Sequence, residues 1–400
     1  MVDVLITGGG VAGSSLAILL GRQGVTVELF ERGQFPKEKP CGEGLMPGGV
    51  AVLERMGLAE AVGGAPFFGI RYHFRNQIAE GRFPTTEGFP PAGRGQRRKH
   101  LDHVLFSAAA MTPGVTAYTG VHVDGPLVEN GKVVGLLVEG EPRRATLTVA
   151  ADGLHSRIRR SLGLDVPVKR RRLGARCHFR LARDKEWPPW VDVFVSRGRE
   201  LYVTALPDRE LLVAALVDTE ALREPVEQAF RRWWQAEPAL HSRLEDAEQV
   251  SSLRCISPLA GHARCGVAPG VVLLGDAAGF LDPITGGGMT QALMTAELLA
   301  KYIRRGLTGI NEWLWDFERQ RKLLLRDYHR LTQAVLWLAD YPSLSERIIS
   351  TLQFVPGLLS HLIAVAGGMR PLCGTQRKWR STLEPARFTE NLGPAEDTHA

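Results

Sequence analysis

The chain has 400 residues, 44% hydrophobic and 23% charged, the balance of an ordinary globular protein long enough for two domains, and it carries no repeat or low-complexity tract. Its formal net charge is +6, but the arginines are dispersed and accompany no nucleic-acid motif, so nucleic acid is excluded as a partner. The five cysteines, Cys41, Cys177, Cys255, Cys265 and Cys373, are scattered without a CxxC pair, which excludes a disulfide framework and a zinc site, and no metal is expected.

The chain opens with VDVLI, a short apolar run of strand type, followed by glycines at Gly8, Gly10 and Gly13 and then by SSLAILLGRQG, apolar at helical spacing with Gly24 as its stop. Between strand and helix each glycine has a task. Gly8 makes the tight turn, Gly10 lets the backbone approach a pyrophosphate, and Gly13 lets helix and strand pack closely. The helix start then offers unpaired N–H groups and the positive end of its dipole to phosphate. A second strand, VTVELFE, ends at Glu31, the spacing at which an acid accepts hydrogen bonds from a ribose. This opening leaves NAD and FAD as alternatives. Nothing before it reads as a secretory leader, and no apolar run is long enough to span a bilayer, so a cytoplasmic location is the expectation.

Further along, KPCGEGLMPGGVAVLERMGL follows the second strand, and GRGQRRKHLDHVLFSAA reads as a loop entering a helix. The strand TLTVAA runs into Asp152-Gly153, then Ser156 and Arg159. The basic run from Lys169 to Arg172 reads as a solvated connection between domains. ARCHFRLA, WVDVFVS, ELYVTAL and ELLVAAL read as antiparallel strands, with PDRE as a hairpin turn. GVVLLGDAAGFLDPITGGGMTQALMTAELLA is a buried-type strand ending at Gly275-Asp276, followed by a turn and an alanine-rich helix. Gly286, Gly287 and Gly288 stand just before that helix, where backbone amides reach a ligand. After about residue 330 come three short apolar helices punctuated by Pro342 and Pro356, and the tail NLGPAEDTHA reads as disordered.

The GxGxxG loop with Glu31, the DGxxSxxR pattern from Asp152 to Arg159 and the GDAAGxxDPxxGGG pattern from Gly275 to Gly288 together resemble the para-hydroxybenzoate hydroxylase class of FAD-dependent oxidoreductases. That class includes aromatic monooxygenases, flavin-dependent halogenases and geranylgeranyl reductases. The resemblance implies non-covalent FAD, with NAD(P)H as reductant, in an α/β fold: a Rossmann-like FAD-binding domain carrying an inserted antiparallel β-sheet substrate domain and a C-terminal helical segment. The motif positions place the FAD-binding domain at 1–75, 98–168 and 266–330, the substrate domain at 76–97 and 169–265, and C-terminal helices and tail at 331–400.

The cofactor contacts so implied are Gly8, Gly10, Val11, Ala12 and Gly13 in the first loop, Glu31 and Arg32 after the second strand, and Cys41, Gly42, Glu43 and Gly44 in the PCGEG segment. Arg98, Val121, Asp152 and Gly153 follow, and Gly275, Asp276, Pro283, Gly286, Gly287, Gly288 and Met289 close the set. Cys41 is expected beside the flavin as a packing or redox-tuning neighbour. No obligatory catalytic group is assigned. His178, Arg180 and Tyr202 are the sheet candidates, each with a plain strand residue as the alternative.

Within the class, PCGEG resembles the PCGxG segment of geranylgeranyl reductases, but their YxWxFP pattern is altered here, with Thr204 and Leu206 in place of the aromatic residues. No WxWxIP segment of the halogenases is present. The reading is therefore an NAD(P)H-dependent monooxygenase that hydroxylates or epoxidises an aromatic or lipophilic metabolite of polyketide or isoprenoid type. The alternative is a geranylgeranyl-reductase-type enzyme acting on isoprenoid double bonds, with a halogenase or a non-catalytic flavoprotein behind it. The expected partners are that small molecule, a membrane surface reached through the apolar C-terminal helices, and a monomeric or homodimeric state.

Overall fold

The computed structural model describes residues 2–75, 77–168, 172–196, 198–307 and 310–374. The opening strand, Val2–Thr7, is buried from Val4 onward and lies inside an eight-stranded sheet. It pairs in parallel with Val27–Glu31 on one side (Val4 opposite Val27) and with Glu141–Ala150 on the other (Val4 opposite Leu147). The chain thus leaves to one side of the first strand and returns on the other, and the crevice beyond the carboxyl ends of such strands is where open α/β sheets bind ligands. Helix Val11–Gly21 is buried at every position but Leu19, because it is enclosed by the sheet and by helices Arg98–Ala110 and Gly288–Ile303. A helix that is apolar all round is the sequence form of that burial.

The expected strands of the inserted sheet are found at Arg172–Arg180, Val191–Ser196, Arg199–Ala205 and Glu210–Asp218. They lie in a second eight-stranded sheet, antiparallel except where Val191–Ser196 runs parallel to Gly69–Phe74. In the PDRE hairpin Asp208 and Arg209 have φ of 60° and 58°; two successive residues in the left-handed region match the twist of the flanking strands. Strand Gly69–Phe74 belongs to this sheet and pairs with Gln77–Arg82, so the expected division after residue 75 falls between two strands of one hairpin.

The C-terminal part differs from its expected form. In place of three short helices there is one of 30 residues, Ile310–Ala339, followed by Pro342–Leu352 and Pro356–Ala366. No proline or glycine interrupts 310–339, so nothing breaks the helix before Tyr341, and the expected division at 331 falls inside it. Helix Pro356–Ala366 lies against the second sheet, where a Cβ on Gly81 would stand 2.8 Å from Leu359 Cγ. Among the described residues no single helix is long and apolar enough to cross a membrane. The tail from 391 lies outside the described residues.

Arg172 corrects the reading of the basic run as a solvated connection. Residues 169–171 lie outside the described residues, but the Arg172 side chain is only 3% exposed. Its guanidinium pairs with Glu200 and, at 2.9 Å, with Asp282. Buried charge persists only when compensated in this way.

Candidate active site

The two sheets meet around a cavity of about 230 Å3, lined on one side by Gly10, Val11, Ala12, Gly275 and Asp276, and on the other by Ile70, Tyr72, Val191, Val193 and Tyr202. The glycine loop is shaped from beneath. Gly8 has φ of 102°, and a Cβ there would overlap the Ala151 carbonyl, while one on Gly13 would overlap the Gly8 carbonyl. Neither faces the cavity; they let the turn and the helix close up on the strand. A Cβ on Gly10 or Gly42 would meet no atom within 4 Å, so bare backbone borders open space there. Bare backbone beside a helix start fits a dinucleotide pyrophosphate.

Glu31 lies behind this loop. Its carboxylate accepts the N–H of Gly9 at 2.9 Å and of Gly33 at 2.8 Å, and Lys37 Nζ stands 2.5 Å away. Like Gly8, Gly13 and Glu31, the expected contacts Arg32, Val121, Asp152 and Gly287 are not in the cavity lining: Arg32 is exposed, and the Val121 N–H donates to the Glu31 carbonyl at 3.1 Å. Asp152 Oδ2 accepts the Arg157 N–H at 2.8 Å, whereas Gly153 lines the cavity. In the same motif Ser156 caps the short helix Arg157–Ser161. Arg159 donates to the carbonyls of Leu154 and Ala277 at 2.8 and 3.0 Å, which fastens the Gly275–Ala277 turn to this segment.

At the far end of the cavity, Pro283, Gly286, Gly288 and Met289 line the wall. Gly286 takes φ of 69°, a left-handed conformation that glycine adopts without strain. Asp282 accepts the Ile284 N–H at 2.9 Å. The hydroxyls of Thr285, Tyr328 and Thr332 interlink at 2.7 and 2.8 Å, and the Gly287 N–H reaches the Tyr328 oxygen at 3.3 Å. The long helix therefore holds the turn that starts Gly288–Ile303.

The PCGEG segment is the junction of the two sheets. Cys41, Gly42, Glu43 and Gly44 all line the cavity. Glu43 is fully buried with φ of 55°, a conformation that a non-glycine residue keeps only when its surroundings over-determine it. Its Oε1 accepts the Arg98 N–H at 3.0 Å and its Oε2 lies 2.7 Å from His178 Nε2. Because Arg176 donates to His178 Nδ1 at 3.0 Å, the proton sits on Nε2 and points at Glu43. Arg98 itself is clamped to Asp102 by bonds of 2.9 and 2.8 Å. Burial works against its charge, but the Asp102 carboxylate and the Cys41 sulfur beside it raise the guanidinium above its ordinary range.

Of the sheet candidates, only Tyr202 lines the cavity, and its hydroxyl donates to the Ile284 carbonyl at 3.1 Å. His178 is sealed behind Glu43 with no exposed surface. Arg180 is turned away to Glu210 and Glu248, at 3.0 and 3.3 Å. Sequence reasoning missed Tyr72, Arg176, Lys39 and Leu216 in the lining. Strand Arg172–Arg180 is buried on both faces, so the alternation that would have marked Arg176 as inward is absent. Among the described residues no group of three His, Cys, Asp or Glu side chains could hold a metal ion.

The family described as FAD binding domain matches residues 1–328 of the chain. A menaquinone reductase of Mycolicibacterium smegmatis is 27% identical over 337 residues, covering 78% of each chain. A 6-methylpretetramide 4-monooxygenase of Streptomyces rimosus is 28% identical over 319 residues, 76% of each. A solved flavoprotein/dehydrogenase from Cytophaga hutchinsonii superposes with a TM-score of 0.80 at 23% identity, over 92% of this chain and 93% of its own, and shares the fold.

Proposed function

Because the chain belongs to the FAD-binding-domain family and is an FAD-dependent oxidoreductase, we propose that it is an NAD(P)H-dependent monooxygenase of a lipophilic ring or polyene. The observation that carries this reading is the apolar chamber, with Met46, Phe67, Ile70, Val193 and Leu216 facing the glycine-rich loops across one cavity. Apolar walls bind an apolar molecule and exclude water, which oxygen transfer requires. Bound there, FAD supplies the redox chemistry, passing electrons from the nicotinamide nucleotide toward dioxygen. The chain's own groups bind and orient. The Val11 and Ala12 amides and Asp276 would hold the cofactor, Glu31 keeps its loop in shape, and the turn from Pro283 to Met289 would border the flavin.

Thr204 supports oxygen insertion over double-bond reduction. It lines the cavity and its hydroxyl lies 3.2 Å from the Gly42 carbonyl, so a small polar residue takes the place where the reductases have an indole, and the aromatic wall for a prenyl chain is reduced. Cys41 in the same lining, and the reductase among the relatives, favour the second reading. Product mass separates the two. With a panel of aromatic polyketide and isoprenoid substrates under oxygen-18 dioxygen, the product gains one labelled atom; a gain of two hydrogens under anaerobic conditions overturns the monooxygenase.

The lipophilic substrate reaches the cavity from a bilayer surface. Trp337, Tyr341, Leu344, Phe354, Val355 and Leu358 are large apolar side chains exposed along the C-terminal helices, Phe354 at 79%, and Arg347 among them in sequence is exposed too. On their inner side the same helices bury Leu359 and Ile363 in one cluster with Met46, Phe67 and Val193 of the cavity wall. An apolar edge with aromatic and basic residues suits an interface between anionic headgroups and chains. The double substitution Phe354→Asp with Leu358→Asp should lower partitioning onto phosphatidylglycerol vesicles at least about tenfold, since each side chain is worth roughly 1.5–3 kcal/mol when buried. FAD content should be unchanged, and equal sedimentation of the variant and the parent with the vesicles refutes the contact.

A further inference from the structure

Two phenols face the cavity from one row of the second sheet. Val193 stands opposite Tyr202 on one neighbouring strand and opposite Tyr72 on the other, and all three line the cavity. They are not equivalent. Tyr202 has committed its hydroxyl to the Ile284 carbonyl. Tyr72 is half-buried, and its hydroxyl has no hydrogen-bond partner among the described residues. Arg71 and His73 point to the opposite face, where both bind Asp192, at 2.7 and 2.5 Å. Tyr72 packs against the apolar cluster that contains Ile70, Val193 and Phe67.

We propose that the Tyr72 hydroxyl is the donor that seats a carbonyl oxygen of the substrate, so that the chamber selects an apolar ring system carrying a carbonyl over a pure hydrocarbon. This rests on the reading of the cavity as the substrate chamber. A hydroxyl in an apolar wall loses its water when the chamber fills, and only a ligand atom that accepts its proton compensates. Burial pushes the Tyr72 phenol up to about 12, so it remains a donor throughout the physiological range. Tyr202 cannot substitute, since its proton already serves the loop at Ile284. The pair therefore divides the labour: one phenol ties the sheet to the turn from Pro283, the other reads the ligand.

The test uses the FAD-bound protein and two probes of the same shape, 2,3-dimethyl-1,4-naphthoquinone and 2,3-dimethylnaphthalene, followed through the perturbation of the flavin absorbance. The native protein should bind the quinone roughly tenfold more tightly, the worth of one neutral hydrogen bond. Tyr72→Phe should remove that preference and leave the hydrocarbon affinity and the FAD stoichiometry unchanged, which a merely structural role would not do. A preference that survives Tyr72→Phe overturns the proposal and leaves the chamber reading intact. Failure of both probes to bind the native protein overturns the chamber reading and the proposal with it.

Discussion

Replacing Arg172 by methionine should destabilise the FAD-bound protein by about 3–5 kcal/mol in urea unfolding, the cost of leaving buried charge without its partner. The guanidinium stands between Glu200 and Asp282, themselves 8% and 4% exposed, with Asp218 at 3.6 Å. Methionine keeps the stem and removes only the charge and its donors. Burial already raises Glu200 above the usual carboxylate range, and Arg172 is what opposes it. In the variant that opposition is gone, so the folded-state value rises further above the unfolded one. A raised carboxyl contributes stability that is fully present below the unfolded value and is lost as pH rises through the folded value. The deficit should therefore be smaller in acid and grow toward neutral pH. Asp282 also caps the turn at Ile284, so the wall of the cavity is loosened together with the sheet. A loss below about 1 kcal/mol, with no dependence on pH, would mean that the cluster is solvated and that its burial does not matter.

Glu31→Arg should weaken FAD by at least about a hundredfold in titrations of the apoprotein. Glu31 is the common acceptor for the N–H groups of Gly9 and Gly33 and pairs with Lys37. A charge-assisted bond of this kind is worth roughly 1.5–3 kcal/mol, about one to two decades of affinity each. The arginine removes both and adds a cation beside Lys37. A Cβ on Gly9 would stand 3.0 Å from Glu31 Cβ, so the loop lies directly against the stem of this side chain. Glu31→Gln keeps an acceptor for one amide and should fall between the two. An unchanged affinity in Glu31→Arg would remove Glu31 from the cofactor site.

The parts of this protein that could be read along the chain are those whose physics is local. A strand, a glycine turn and a helix start within some twenty residues state their own geometry, because a Cβ at Gly13 would collide with the Gly8 carbonyl whatever the rest of the chain did. The strands of the inserted sheet and the PDRE hairpin are local in the same sense. The helix from 310 to 339 is longer than expected for the opposite reason: its apolar residues change partners along its length, from the core of the nucleotide-binding side at Leu314 and Phe317 to the cluster behind the cavity wall at Leu331.

The charges were beyond the sequence altogether. Arg172 reads as one more cation in a basic run until strand pairing sets it beside Glu200, 28 residues away, and Asp282, 110 away. Glu43 and His178 are 135 residues apart, and only the docking of the second sheet on the first brings their side chains into one buried contact. Tyr72 and Tyr202 are likewise indistinguishable as letters in a strand. Which of them keeps a proton for the ligand depends on where the Ile284 carbonyl lies, 82 residues from Tyr202. The sequence by itself determined the nucleotide loop and the strands of the two sheets, because hydrophobic period and backbone sterics act over a few residues, while FAD-dependent redox chemistry is what the resemblance of its three motifs implied. Only the tertiary structure decided which polar groups are spent on one another and which remain to meet a substrate, because a hydrogen bond or ion pair is made wherever the folded chain leaves donor and acceptor within about 3 Å, at any separation in sequence.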